Sequence, residues 1–224
     1  MTGGSGTSGV PGTSGVSATA PGPPFRVLHV CTGNICRSPM AEHLMRAGLA
    51  ARLGREADRF VVESAGTWGH SGSPMEQHAA TTLGSYGVDG AGFRARELVA
   101  EHVAGADLVL GATREHRAAA VVLHPRAATR TFTLREFSRL VGVVDAADLP
   151  TGDVVDRARA LVSAAAARRG LVRPDHPRDD DLEDPYHAPA SAFAVCADLV
   201  QRTLAAPLDV VAGARAARTI DTDA

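Results

Sequence analysis

The stretch Cys31-Thr32-Gly33-Asn34-Ile35-Cys36-Arg37-Ser38-Pro39 puts a thiol and a guanidinium five residues apart, between an apolar run and a proline suited to a helix start. A helix that opens there leaves several backbone N–H groups unpaired and carries the positive end of its dipole, so residues from Thr32 to Ser38 can ring an oxyanion. Arg37 adds a planar fork that holds two oxygens at once and keeps its charge at any physiological pH. The same positive field favours the thiolate of Cys31 and so makes its sulfur nucleophilic. Gly33 permits a tight turn toward the ligand, while Asn34 tolerates a left-handed conformation and offers an amide to brace the loop. Ser38 reads as the helix cap and Pro39 as the first helical position. The chemistry this predicts is attack by sulfur on the phosphorus of a cradled phosphate ester.

Cys36 adds a second thiol to the loop, and two cysteines this close invite a reversible disulfide that would shield Cys31 from over-oxidation. Taken alone, the loop is an anion cradle with an ionised cysteine. Three uses stay open at this point: hydrolysis of a phosphate ester, reduction of an oxyanion through further cysteines, and simple binding.

The rest of the chain bounds the setting. Residues 1–24 have no charged side chain and repeat Gly-Thr-Ser-Gly-Val at 6–10 and 12–16, so they are expected to form a disordered Gly/Ser/Thr/Pro-rich tail. They lack the basic start and apolar run of a secretion signal, and no run of about 18 apolar residues occurs elsewhere, so a cytoplasmic location without a membrane span is expected. The three cysteines, an odd number, agree with a reducing compartment. A formal net charge of −2 gives no support for nucleic-acid or anionic-membrane partners. The nine histidines show no ligand spacing, so no metal is expected and each reads as a surface or core-edge residue.

The elements that must position the loop follow from periodicity. Phe25–Val30 reads as a first strand, and Met40, Leu44, Ala47 and Ala51 share a face of a helix that Gly54 ends. Phe60–Glu63 reads as a second strand, followed by a small and polar loop, Ser64–Ser73, and a helix from Pro74 to about Tyr86. Leu98 and Val99 fall on a short helix, Ala106–Leu110 on a third strand, Arg114–Leu123 on a helix, Arg130–Thr133 on a fourth strand and Leu134–Leu140 on a short helix. Val154–Arg169 is alanine-rich and helix-forming, and the acidic run Arg173–Asp184 reads as a solvated loop. Ser191–Ala206 should form the last packed helix, with Pro207 kinking or ending it and a tail over 207–224. Strand and helix alternate, which predicts an α/β fold with a central four-stranded parallel sheet between helical layers, spanning 25–206 as one domain with an insertion at about 142–181. Cys31 then lies at the carboxyl end of a strand, where ligands bind in such sheets.

At this point the sequence resembles a known family. Residues from Val30 to Glu42 resemble the signature of the low-molecular-weight protein tyrosine phosphatases, bacterial type, and Asp184-Pro185-Tyr186 resembles their general-acid loop. Glu63-Ser64-Ala65-Gly66-Thr67, Arg94-Ala95-Arg96, Ala106-Asp107-Leu108-Val109-Leu110 and the run Phe132–Phe137 are similar to the family's pattern in the same order. The likeness covers about 25–141 and 181–206.

The resemblance implies a three-layer α/β/α phosphatase fold and a two-step reaction without metal or cofactor. In it Cys31 becomes phosphorylated, Asp184 protonates the phenolic oxygen and then activates water, and Arg37 with the amides of Thr32, Gly33, Asn34, Ile35, Cys36 and Ser38 holds the phosphate. It also implies that Ser38 hydrogen-bonds the sulfur, that Asn34 and Ser64 keep the loop's shape, and that the substrate is a phosphotyrosine-containing protein. Related enzymes that act on phosphoarginine carry Thr where Ile35 stands, and an aliphatic β-branched residue there suits a phenyl ring. Tyr186 and Trp68 are expected as apolar walls of the slot. Three positions depart from the family pattern: Phe93 replaces a histidine of several members, Ala112 replaces a frequent methionine, and the connection from Val141 to Asp181 is longer, which is expected to let the lid carrying Asp184 move more or bind a partner. The competing readings are a thioredoxin-linked arsenate reductase, for which Cys196 is the one cysteine outside the loop, and a phosphotyrosine-binding scaffold.

Overall fold

Alternating side chains on the first strand divide the molecule into two cores. The computed structural model, which describes Met1 and residues 22–213, begins its regular structure with β1 (Phe25–Cys31). Phe25, Val27 and Cys31 enter one apolar cluster, and Leu28 and Val30 enter another on the opposite face, as the two-residue repeat of a strand requires. β2 (Phe60–Gly66), β3 (Leu108–Gly111) and β4 (Thr131–Thr133) complete a wholly parallel sheet in the order β2-β1-β3-β4. The chain therefore leaves β1 first toward one side and later returns to the other, so the carboxyl end of β1 is a switch point and Cys31 sits on it.

Helices cover both faces. The larger core is formed with α1 (Arg37–Leu53), α2 (Gln77–Ser85), α5 (Leu134–Val141), α6 (Val154–Ala167) and α7 (Ala190–Val211). The smaller holds Val103 of α3 (Ala100–Gly105) and Ala120 of α4 (Arg114–Leu123). The result is the three-layer α/β/α arrangement expected from the alternation of elements. No helix among the described residues is long and apolar enough to cross a membrane. The N-terminal tail and most of 207–224 lie outside the described residues.

Several local expectations need correction. β2 runs on to Gly66, because parallel pairing with β1 continues to Cys31 against Gly66 and draws Ser64 out of the loop. The buried face of α1 is Met40, Ala41, Leu44, Met45 and Leu49, whereas Ala51 is exposed. Leu98 and Val99 precede α3 and do not lie within it.

Pro207 neither ends α7 nor begins a tail, since the helix continues through it to Val211. A proline inside a helix costs about 3 kcal/mol. Burying Leu208, Val210 and Val211 beyond it offsets that, at about 1.5–3 kcal/mol for each large apolar side chain. The segment 142–181 joins the same core: α6 buries Val155, Ala158, Leu161 and Ala165. Arg157 of α6, buried without a carboxylate, donates to the carbonyls of Ala146, Pro150 and Val210 and so ties this segment to the end of α7.

His29 shows how the sheet handles a titratable group. It is 2% exposed, with Nε2 3.3 Å from Met45 Sδ, and burial together with the Arg46 cation pushes it down to about 3. The unfolded ring binds its proton near pH 6.5 and the folded ring does not, so stability falls as pH drops from about 6.5 toward 3, by about 1.4 kcal/mol per pH unit for this group. Urea unfolding at pH 7, 6 and 5 should show that decline, and His29→Leu should reduce its slope by about one proton. An unchanged slope would mean that His29 ionises freely in the folded state.

Candidate active site

The loop Thr32–Cys36 is shaped by what happens to its carbonyl groups. The carbonyls of Cys31, Thr32, Gly33 and Ile35 turn outward and accept from the N–H groups of Thr67, Trp68, His70 and Glu76. That leaves the N–H groups from Thr32 to Ser38 facing the other way, and among the described residues none of them has a protein acceptor. Seven donors in succession without a protein acceptor, at the start of a helix, are a chemistry that suits a multiply charged oxyanion.

Asn34 makes this turn possible. Its φ of 55° is left-handed, and its side chain is fully buried. Nδ2 donates to Ser38 Oγ at 2.9 Å and to Ser64 Oγ at 2.8 Å, while Oδ1 accepts from the Arg96 backbone at 2.8 Å. Since Ser38 Oγ accepts from Asn34, its own hydrogen is free for Cys31 Sγ, 2.9 Å away. Ser64 passes its hydrogen to Glu42 Oε2 at 2.5 Å, and Glu42 is held in turn by Arg46 at 2.7 Å. Phe93, at the position where a histidine was noted in related sequences, packs edge-on to His43 with centroids 6.0 Å apart, and the backbone of Arg96 completes the amide's bonds.

Ser38 is not the helix cap. α1 begins at Arg37 with Cys36 in the cap position and no side-chain cap, so Ser38 lies inside the first turn and is spent on the sulfur. Pro39 is accordingly the third helical residue, still where a missing N–H removes no helical bond. Both cysteines of the loop are buried free thiols. Burial above all, then the neighbouring Cys31, Asp184 and Glu76 charges, push the Cys36 thiol far up, so it stays protonated.

Arg37, 5% exposed, points into the same space. Nη1 donates to the Leu182 carbonyl at 3.2 Å, and Nη2 lies 3.3 Å from Thr32 Oγ1 and 2.5 Å from Asp184 Oδ2. Its Nε is buried without a partner, an unfilled donor. Asp184 arrives on a segment that the sequence reading leaves solvated, and here the structure differs. Asp180 pairs with Arg139, and Asp181 pairs with Arg114 while its carbonyl takes Arg135. The Leu182 N–H donates to Ala112, and the Leu182 side chain is buried. Residues 180–182 are thus held against β3, α4 and α5.

Cys31, Thr32, Gly33, Ile35, Cys36, Arg37, Trp68, Asp184 and Tyr186 all line one cleft of about 130 Å³, joined by His70. Trp68 and Tyr186 stand at its exposed rim, at 78% and 42% exposure. Ser38, Asn34 and Ser64 lie behind it. Cys196, on α7, is buried outside the cleft and its thiol is pushed up to about 11, chiefly by burial. Sequence reasoning passed over His70 and His116 as incidental. His116 is 7% exposed, with Nε2 3.0 Å from Thr32 Oγ1 and Nδ1 2.7 Å from Thr113 Oγ1. The one sequence signal for it was Thr113, a helix-capping residue type three positions ahead.

A strand-end thiol, a loop whose amides lack protein acceptors among the described residues, a buried arginine and a carboxylate from a distant segment meet at one cleft. The chain belongs to the low molecular weight phosphotyrosine protein phosphatase family, whose sequence signature matches residues 26–153. It is 36% identical over 150 residues to low molecular weight protein-tyrosine phosphatase A of Mycobacterium tuberculosis, covering 66% of this chain and 90% of that protein. It is 38% identical over 114 residues to a protein-arginine-phosphatase of Geobacillus stearothermophilus, covering 51% of this chain and 72% of that one. Among solved structures, a low molecular weight protein tyrosine phosphatase from T. tengcongensis superposes with a TM-score of 0.58 at 30% identity, over 81% of this chain and 96% of that one. This protein is therefore a hydrolase of that family.

The fit behind the loop gives a direct test. A Cβ on Gly66 would stand 2.3 Å from the Thr32 carbonyl oxygen and 2.9 Å from the Asn34 nitrogen. Gly66→Ala should therefore push the loop out of shape and weaken inorganic phosphate binding at least about tenfold, with the circular dichroism spectrum retained. Phosphate affinity equal to wild type, by calorimetry, would show that the loop yields freely.

Proposed function

We propose that this protein hydrolyses phosphotyrosine in protein substrates through a phosphocysteine on Cys31. The observation that carries the reading is the set of donors with no protein acceptor among the described residues, seven loop N–H groups and Arg37 Nε, in the loop that follows Cys31 and lines the cleft with it. An arriving phosphate takes Arg37 Nη2 from Asp184, whose carboxyl is then free to face the leaving oxygen. Sulfur attacks phosphorus in line and the P–O bond to the phenol breaks, with Asp184 giving its proton to the phenolic oxygen. Water then loses a proton to Asp184 and attacks phosphorus, the P–S bond breaks, and the departing thiolate is received by the Ser38 hydroxyl.

Three features favour a phenolic substrate. The cleft volume is close to the roughly 150 Å³ that houses one benzene ring. Ile35 lines it as an apolar wall, and Trp68 and Tyr186 frame its mouth. The protein fits the cytoplasm, where Cys31 stays reduced. A phosphoarginine substrate is the second reading, favoured by the likeness to the Geobacillus protein that bears that name.

Matched peptides bearing phosphotyrosine or phosphoarginine separate the two readings. The expected result is kcat/KM at least about 100-fold higher for phosphotyrosine, with Cys31→Ser inactive on both. The reverse preference would make the protein an arginine phosphatase. Asp184→Asn should cost about 100-fold or more on the phosphotyrosine peptide and much less on p-nitrophenyl phosphate, whose leaving group needs little protonation. Equal losses on the two would remove Asp184 as the acid.

A further inference from the structure

His116 belongs to α4 and touches no part of the reaction directly, yet it is buried against the loop and aligned between two hydroxyls. The hydrogens along this chain can be counted. Thr113 Oγ1 caps α4 by accepting the His116 backbone N–H, at 3.5 Å, and faces His116 Nδ1 at 2.7 Å. Thr32 Oγ1 lies 3.3 Å from Arg37 Nη2, which can only donate, and 3.0 Å from His116 Nε2. Burial, and next the Arg37 cation, push His116 down to about 4, so near neutral pH the ring carries a single N–H.

Two arrangements are then possible. If the ring hydrogen were on Nδ1, Thr113 Oγ1 would accept twice and its own hydrogen would be left without a partner in a half-buried place. With the hydrogen on Nε2, Thr113 donates to Nδ1, Nε2 donates to Thr32, and every hydrogen is placed except that of the Thr32 hydroxyl. Thr32 is exposed and lines the cleft, so that last hydrogen faces the place where an oxyanion binds. Thr32 Oγ1 then uses both lone pairs, one for His116 and one for Arg37.

We propose that His116 is a positioning residue of this active site: its Nε2–H orients the Thr32 hydroxyl so that it accepts from Arg37 and donates to a bound phosphate oxygen. The idea rests on the phosphatase reading and adds two things to it. Arg37 Nη2 has Asp184 and Thr32 as its acceptors, so once Asp184 turns to the leaving group, Thr32 keeps the guanidinium aimed into the cradle. The cradle also gains a side-chain donor beyond its amides and arginine.

The test uses the full chain and inorganic phosphate as the probe, with p-nitrophenyl phosphate turnover measured alongside. Thr32→Val keeps the shape and removes the hydroxyl; it should raise the inhibition constant for phosphate about ten- to 100-fold, the size of one charge-assisted hydrogen bond. Thr32→Ser restores the hydroxyl and should recover most of that loss. His116→Leu should match Thr32→Val, His116→Gln should recover part of the loss through its amide N–H, and Thr32→Val with His116→Leu should be no worse than either alone. Nitrogen-15 NMR of the wild type should find the His116 hydrogen on Nε2. A phosphate affinity unchanged in Thr32→Val, multiplying losses in the double variant, or a hydrogen on Nδ1 would each overturn the proposal. Should His116→Leu fail to fold, the Thr32 pair and the NMR measurement still decide. A wild type that binds phosphate but turns over no ester would sink the phosphatase reading instead, while the Thr32 comparison of phosphate affinity stands.

Discussion

The active loop depends on one left-handed residue and the amide that holds it there. A non-glycine residue in that conformation costs about 1–2 kcal/mol. Asn34 offsets this with three side-chain hydrogen bonds, two of them buried, each worth about 0.5–1.5 kcal/mol net. The turn at Asn34 is what lets the loop send carbonyls outward to the segment 67–76 and amides inward. It also braces the hydroxyl that touches the Cys31 sulfur, because the Asn34 amide donates to Ser38 Oγ and leaves the Ser38 hydrogen available to the sulfur. The turn of the loop and the contact between Ser38 and the Cys31 sulfur therefore depend on the same side chain.

Asp184 reaches this site from far along the chain, on a segment held by several side chains. The sheet brings Ala112, at the end of β3, next to Leu182, and three arginines of α4 and α5 anchor Asp180 and Asp181. Asp184, two residues past the buried Leu182, is left exposed and paired with Arg37. The Arg37 cation and the Asp184 carboxylate therefore neutralise each other across the cleft.

Local patterns were read well where one element decides its own fate. α4 has the boundaries that its sequence predicts, and β1 and the phosphate loop fall where expected. The misreadings share a cause. Pro207 breaks helices by itself, but the apolar residues after it find a core that outweighs the break. Ser38 has the chemistry of a cap, but a thiol 2.9 Å away claims its hydroxyl. The acidic run looks solvated until Arg114, Arg135 and Arg139 are brought to it from other elements. His116 has no neighbour of interest in sequence and acquires Thr32, 84 residues away, only across the end of the sheet.

What the sequence determined by itself was the inventory of reactive groups and their local geometry. Cys31, the glycine and asparagine of the turn, Arg37 and the helix start are contiguous, so chain connectivity alone holds them within reach of one phosphate. Tertiary structure decided the direction of each hydrogen bond and the company each group keeps: amides inward, the Ser38 hydrogen on sulfur, Asp184 on Arg37, His116 beneath Thr32. The physical reason is that a hydrogen bond points wherever its partner is. Here the partners come from β2, β3, α4 and the segment before α7, which no local pattern can bring together.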